Sequence, residues 1–140
     1  MKIIIINGPN LNLIGTRQPD IYGTATMEQE LAVLRERYPQ IYIEYFQSNI
    51  EGELIGKIQE VGFSYDGIII NAGGYSHTSV ALHDALLSVT APAIEVHISN
   101  IFAREEYRHH SLLTSVCRGM ISGLGLDGYR LAIEWFADRQ

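Results

Sequence analysis

The chain has 140 residues, 46% of them hydrophobic, and a formal net charge of -6, which suits one domain (1–140) with an ordinary buried core. Two lysines, eight arginines and no basic run exclude a nucleic-acid surface. The longest apolar runs fall far short of a membrane span, and the lone Cys117 excludes an internal disulfide and suits a reducing, cytoplasmic compartment.

Ile3 to Ile6 is the first apolar run. It is too short for a secretory leader and lacks a small-residue cleavage site, so Lys2 to Asn7 reads as a buried, β-branched strand. A loop of about residues 8–25 follows, rich in Asn, Gly and Pro. A structureless connection of that length inside a compact domain is ordinarily a lid or binding loop. Thr26 and Gln29 have capping-box spacing, and Leu31, Leu34 and Tyr38 continue a helical stripe that Pro39 stops. Ile41 to Phe46 is a second strand. Ser48 to Glu51 offers a second cap, before a helical face of Leu54, Ile55, Ile58 and Val61 that Gly62 ends. Ile68 to Asn71 is a third buried strand running into Ala72-Gly73-Gly74. A helix over Thr78 to Ser88 offers Val80, Leu82, Ala85, Leu86 and Val89 for burial. Pro92 opens a fourth strand, Ala93 to Ile98. Residues 100–110 are polar, loop or short helix, and Leu112 to Cys117 reads as a short helical segment. Arg118 to Ser122 is a weak fifth strand, before a last helix with Tyr129, Leu131, Ala132, Ile133, Trp135 and Phe136.

Apolar-through strands alternating with helices imply a parallel sheet covered on both faces. For five strands the default is the flavodoxin-like doubly wound α/β arrangement, order 2-1-3-4-5, with its ligand site outside the carboxyl ends of strands one and three. Three polar segments would meet there: Asn7 to Asn12, Asn71 to His77, and His97 to Asn100.

Several chemistries fit this cleft poorly. The first loop has neither glycine signature of a phosphate cradle, and Leu11, Leu13 and Ile14 are odd neighbours for a pyrophosphate. A phospho-receiver would carry acidic residues where Asn7 and Asn71 stand. His109 and His110 are adjacent and so diverge, which argues against a metal site. Lys2 lies at the opposite end of its strand and Lys57 inside a helix, so neither suits a Schiff base. Glu95 and His97 alternate by two and share a strand face. They read equally as a structural pair or as an acid whose tautomer a carboxylate fixes. A loop tyrosine such as Tyr22 ordinarily packs or sits at the surface. As a base it would have to ionise about three pH units below its usual ~10, roughly 4 kcal/mol, with guanidinium groups as the natural cause. Arg17 lies five residues before Tyr22, and Arg108 after the fourth strand is a second candidate.

Together the segments Asn7 to Arg17 with Tyr22-Gly23, Asn71 to Leu82, Glu95 to Asn100, Arg104 to Ser111 and Ile121 to Gly125 resemble type II 3-dehydroquinate dehydratase (type II dehydroquinase) over nearly the whole chain. The resemblance implies reversible dehydration of 3-dehydroquinate to 3-dehydroshikimate, in the shikimate or quinate pathway, by trans elimination through an enolate. No Schiff base, metal or cofactor is implied. Carried onto this sequence, Tyr22 is the base and Arg17 favours its phenolate. Asn10 helps hold the water that stabilises the enolate oxygen. His97 is the general acid, oriented by Glu95. Asn71, His77, Ile98, Ser99 and Arg108 hold the substrate, and Asp84 matches a substrate-site residue that can reach a neighbouring subunit's cleft. The family is typically a dodecamer built from trimers. Tyr42, Tyr45 and Phe46 on an expected edge strand give an independent hint of a covered surface.

The sequence departs from the family pattern at Gln18, where Glu is common, and at Gly74, Ser76 and His83, where Ala, Thr and Arg are usual. None of these is a residue assigned to chemistry. On the residues alone, a non-catalytic flavodoxin-like ligand-binding module is the alternative.

Overall fold

The computed structural model describes residues 1–16, 20 and 24–139. Among these, the strands are β1 (Lys2–Asn7), β2 (Tyr42–Gln47), β3 (Gly67–Asn71), β4 (Ala93–His97) and β5 (Gly119–Ser122). The α-helices are α1 (Met27–Arg37), α2 (Glu51–Val61), α3 (Val80–Ser88) and α4 (Asp127–Ala137). The strands form one parallel sheet in the order β2-β1-β3-β4-β5, as the doubly wound reading requires.

The isoleucine runs explain the layering. Side chains alternate across a strand, so a fully apolar strand feeds both faces. Ile3, Ile5, Ile69, Ile94 and Val96 pack with Leu31, Leu34, Tyr129, Ile133 and Phe136 on the α1–α4 face. Ile4, Ile6, Ile68 and Ile70 pack with Leu54, Ile58, Leu82 and Leu86 on the α2–α3 face. All four isoleucines of β1 are fully buried. Each contributes about 1.5–3 kcal/mol of apolar burial, so the strand that carries the first loop is firmly anchored.

Helix starts follow local hydrogen bonding. Thr26 Oγ1 accepts from the Gln29 N–H at 3.2 Å while Gln29 Oε1 accepts from the Thr26 N–H at 2.9 Å, which makes the expected capping box. The expected cap at Ser48 sits one turn early. Strand β2 runs on to Gln47 and α2 begins at Glu51, so Ser48 Oγ accepts from the Ile50 N–H at 2.9 Å and its hydroxyl donates to Glu53. Helix α3 starts at Val80, later than expected, because Ser79 is its cap and Gly73–His77 forms a 3-10 turn. That phase turns Leu82, Ala85 and Leu86 inward and leaves Val80 62% exposed, against the expectation that it packs inside. Val80, His83, Asp84 and Leu87 therefore share the outward stripe of α3.

Beyond β4 the chain makes three 3-10 turns, Ile101–Ala103, Glu106–Arg108 and Thr114–Val116, before the short β5. At the opposite edge, Arg35 of α1 donates from Nε and Nη2 to the Ile43 carbonyl of β2, at 3.1 and 2.9 Å. Of the expected aromatic edge, Tyr42 is exposed while Tyr45 and Phe46 are partly buried. No described helix is long and apolar enough to cross a membrane.

Candidate active site

The carboxyl ends of β1, β3 and β4 open onto one cleft. Pro9, Asn10 and Leu11 line it from the first loop, Asn71, Gly73, Gly74 and His77 from the second, and His97, Ile98 and Ser99 from the third. Ile101, Arg104 and Arg108 close the far side.

The first two loops are locked together at their roots. The Gly8 N–H donates to the Asn71 carbonyl at 2.7 Å. A Cβ at Gly8 would lie 2.4 Å from the Ala72 carbonyl oxygen, so only glycine fits. Two residues on, Asn10 has φ 70°, a left-handed conformation that Asn tolerates better than most residues. Its N–H donates to Asn49 Oδ1 at 2.9 Å, and Gln47 Nε2 donates to the same oxygen at 3.2 Å. The turn between β2 and α2 thus fixes the backbone of a cleft residue.

Beneath the cleft lies a chain of buried amides and phenols. Tyr45 Oη accepts from Asn7 Nδ2 at 3.3 Å. The Tyr129 hydroxyl donates to Asn7 Oδ1 at 2.8 Å and accepts from Asn71 Nδ2 at 2.9 Å. Asn71 Oδ1 accepts from the Gly73 N–H at 3.3 Å. Burial pushes the Tyr129 phenol well above its ordinary range, so it stays neutral and keeps donating. Asn71 consequently presents its amide in one orientation, with a second Nδ2 hydrogen left beyond the bond to Tyr129.

The two imidazoles stack, with ring centroids 6.0 Å apart and planes inclined by 23°. His77 Nδ1 is 2.9 Å from the His110 carbonyl, and a carbonyl only accepts, so Nδ1 carries the proton and Nε2 is the acceptor. Burial lowers the His77 pKa; the bond to His110 opposes this, while His97 and Arg108 add to it. That favours the neutral ring. His97 Nε2 lies 2.5 Å from Glu95 Oε2, as the alternation of the two residues predicts. This pairing assigns Nε2 the proton shared with Glu95 and leaves Nδ1 for the cleft.

Glu95 is fully buried. Burial pushes its carboxyl up, but donation from His97, Ser111 and Thr114 outweighs that and holds it below the ordinary carboxylate value. Ser111 Oγ donates to Oε2 at 2.6 Å and Thr114 Oγ1 to Oε1 at 2.5 Å, lengths typical of bonds to an ionised acceptor.

On the far side, Arg108 Nε donates to Glu105 Oε2 at 2.8 Å, using one of the five guanidinium donors. Arg104 Nη1 donates to Ser99 Oγ at 3.3 Å, and Arg104 Nε is 3.8 Å from Glu105. The Ile98 carbonyl accepts from the Gly125 N–H at 3.0 Å and the Ser99 carbonyl from Ser122 Oγ at 3.2 Å. The strand end that carries both residues is thereby held from below.

Of the residues expected at the site, Asn10, Asn71, His77, His97, Ile98, Ser99 and Arg108 line this cleft, with Glu95 directly behind His97. Asp84 is not brought in: it faces outward on α3, two-thirds exposed, with His83 Nδ1 at 2.9 Å from its carboxylate. Arg17 and Tyr22 lie outside the described residues. Sequence reasoning assigned no role to Arg104, Asn49, Tyr129, Ser111 or Thr114. Only Arg104 carried a usable signal, a second arginine in the polar stretch that holds Arg108.

Fold and cleft together define a flavodoxin-like α/β protein with a buried imidazole–carboxylate pair at its switch point, equipped to move protons on a small polar anion. The chain belongs to the family described as Dehydroquinase class II, whose model matches residues 1–137. Over 137 residues it is 51% identical to a Bacillus licheniformis protein named 3-dehydroquinate dehydratase, covering 96% of this chain and 94% of that one. A Campylobacter jejuni protein of the same name is 52% identical over 135 residues, covering 95% and 85% of the two chains. The crystal structure of a type II dehydroquinase from Butyrivibrio crossotus superposes with a TM-score of 0.94 at 49% identity, over 98% of this chain and 97% of that one.

Proposed function

We propose that the chain is a 3-dehydroquinate dehydratase that eliminates water from 3-dehydroquinate to give 3-dehydroshikimate. The observation that carries this reading is the Glu95–His97 pair opening into a cleft that also holds Asn10, Asn71, His77 and two arginines. An α-proton elimination needs a base, a stabiliser for the enolate oxygen and an acid for the leaving hydroxyl.

In this reading Tyr22, as phenolate, takes the proton from the carbon beside the ketone. The C–H electron pair moves to the carbonyl oxygen, where a water held by Asn10 stabilises the enolate. The enolate then collapses and the C–O bond breaks. His97, oriented by Glu95, gives its proton to the departing hydroxyl, which leaves as water. Tyr22 ends protonated and His97 neutral, and one proton transfer through solvent restores both. Arg17 favours the phenolate. Asn71 and His77 hold substrate hydroxyls, the latter through its acceptor nitrogen. Ile98, Ser99 and Arg108 hold the remaining hydroxyls and the carboxylate, and Arg104 adds positive charge at the same wall.

The whole of 1–140 is one catalytic domain in this reading, with residues 8–25 as lid. It works in the cytoplasm, in keeping with its lone Cys117, and assembles as a dodecamer of trimers. The outward stripe of α3 supports assembly. Val80 and Leu87 are 62% and 65% exposed there beside Asp84, which could then enter a neighbouring subunit's cleft. The test is direct. Purified protein mixed with 3-dehydroquinate should develop the ultraviolet absorbance of the conjugated enone product. Folded protein that gives no absorbance change refutes the enzyme and leaves a ligand-binding module.

A further inference from the structure

One short segment supports both imidazoles of the cleft, His77 directly and His97 through Glu95. The His110 carbonyl receives the His77 Nδ1 proton, and Ser111 and Thr114 donate to Glu95, the partner of His97. The segment is itself pinned to the turn that bears His77. The Leu112 N–H donates to the Ser76 carbonyl at 2.8 Å, and the Leu113 N–H donates back to Ser111 Oγ at 3.1 Å.

We propose that Ser111 and Thr114 are positioning residues for the dehydration, acting through Glu95 to keep the proton on His97 available to the leaving hydroxyl. This rests on the dehydratase reading above.

Glu95 sets how readily His97 gives up its cleft-facing proton. A buried carboxylate beside an imidazole does two things: it orients the ring, and it draws the shared proton toward itself. The second harms a general acid at the other nitrogen, because the more basic the carboxylate, the more negative charge it lends the ring through Nε2 and the less readily the Nδ1 proton facing the cleft is given up. Hydroxyl donors on the carboxylate spread its negative charge and weaken that pull while leaving the orientation intact. Glu95 has four acceptor sites on its two oxygens. Here His97 and Ser111 share Oε2, and Thr114 occupies Oε1.

Among the described residues, no other hydroxyl donates to Glu95. Across the sheet Glu95 stands beside Ile70 of β3 and Met120 of β5. Two further titratable groups sense its charge, His77, which the cleft keeps neutral, and the Cys117 thiol. Burial chiefly, and Glu95 secondarily, push Cys117 up to about 12, so it adds no charge. Thr114 therefore provides something its neighbours do not, a donor on the oxygen that His97 leaves open.

Replacing Thr114 by Val keeps the shape and removes the donor. In the assembled enzyme, kcat for 3-dehydroquinate should fall about tenfold, part of the 10²–10⁴-fold that a general acid supplies. KM should stay within about twofold, since no substrate contact is lost. The primary isotope effect from substrate deuterated at the abstracted position should shrink, because the acid-assisted step becomes limiting. Thr114→Ser should restore kcat and the isotope effect together. Loosened packing alone would not be rescued by the smaller Ser, nor would it lower the isotope effect selectively. Ser111→Ala carries the same test from Oε2 if the Val variant fails to assemble. Wild-type protein that turns over 3-dehydroquinate, with Thr114→Val and Ser111→Ala at unchanged kcat and isotope effect, overturns the proposal. Wild-type protein with no turnover overturns the dehydratase reading and this inference with it.

Discussion

Replacing Tyr129 by Phe removes one oxygen from the core and tests how far the cleft depends on it. The Tyr129 hydroxyl bonds Asn7 Oδ1 at 2.8 Å and Asn71 Nδ2 at 2.9 Å, and all three residues are buried. The ring of Phe fills the same space, so no cavity opens. What remains is an Asn7 oxygen without its donor and an Asn71 hydrogen without its acceptor. An orphaned buried polar group costs about 1–3 kcal/mol. Asn71 borders the cleft and can recruit water, so its share falls at the low end. The pair together should cost roughly 2–4 kcal/mol. For a chain of this size, where 1 kcal/mol moves Tm by about 3 °C, that is a fall of about 6–12 °C. Thermal unfolding followed by circular dichroism at one fixed protein concentration is the assay, because any self-association makes Tm concentration-dependent. Tyr45→Phe is the internal control: it loses a single, longer bond to Asn7 and should cost under about 1 kcal/mol. Equal melting of Tyr129→Phe and wild type would refute the idea that this hydroxyl organises the strand ends.

Other outcomes follow from the same geometry. Gly8→Ala drives a methyl against the Ala72 carbonyl and should cost about 1–3 kcal/mol in urea unfolding and also depress turnover, since both loop roots must shift; unchanged stability would show the contact relaxes freely. The Glu95 carboxyl is held below its ordinary value of 4.5, so its stabilising effect is present above that value and lost as pH falls through the lower, folded one. Melting temperatures of the wild type should thus drop more steeply below about pH 4.5 than those of Glu95→Gln, and parallel curves would remove Glu95 as a source of acid sensitivity. Tyr22→Phe should lose nearly all turnover yet still bind substrate in calorimetry; wild-type turnover would exclude Tyr22 as the base. In Arg17→Ala the rate limb that requires the phenolate should move to higher pH, and an unmoved limb would mean that Arg17 does not tune Tyr22.

The sheet was legible because burial on both faces leaves a one-dimensional trace: Ile3 to Ile6 and Ile68 to Ile70 can hardly be anything but interior strands. Which isoleucine meets which helix pair was not legible, since that depends on the packing of α1 and α4 on one face and α2 and α3 on the other. The Glu95–His97 pair was legible from a two-residue spacing within one strand. Tyr129 was not, because its partners are 122 and 58 residues away and its own helix pattern explains it fully as an apolar filler. Ser111 and Thr114 sit in a segment with no periodicity, so nothing local distinguishes a carboxylate donor from a loop hydroxyl. The late start of α3 came from its cap: the expected helix opens at Thr78, but Ser79 receives the Leu82 N–H and the helix begins at Val80. Asp84 faces outward on that helix, away from this chain's own cleft, so its expected reach remains the one toward a neighbouring subunit's cleft.

The guanidinium of Arg35 on the Ile43 carbonyl bears on what the open edge of the sheet offers to another chain. An open edge strand is a template on which a second molecule can add its own strand, and that route leads to fibrils and precipitates. Here one outward carbonyl of that template, that of Ile43, is already filled, by a bifurcated bond from a helix that also packs the core. A strand adding at this edge would have to displace that guanidinium before it could bond there.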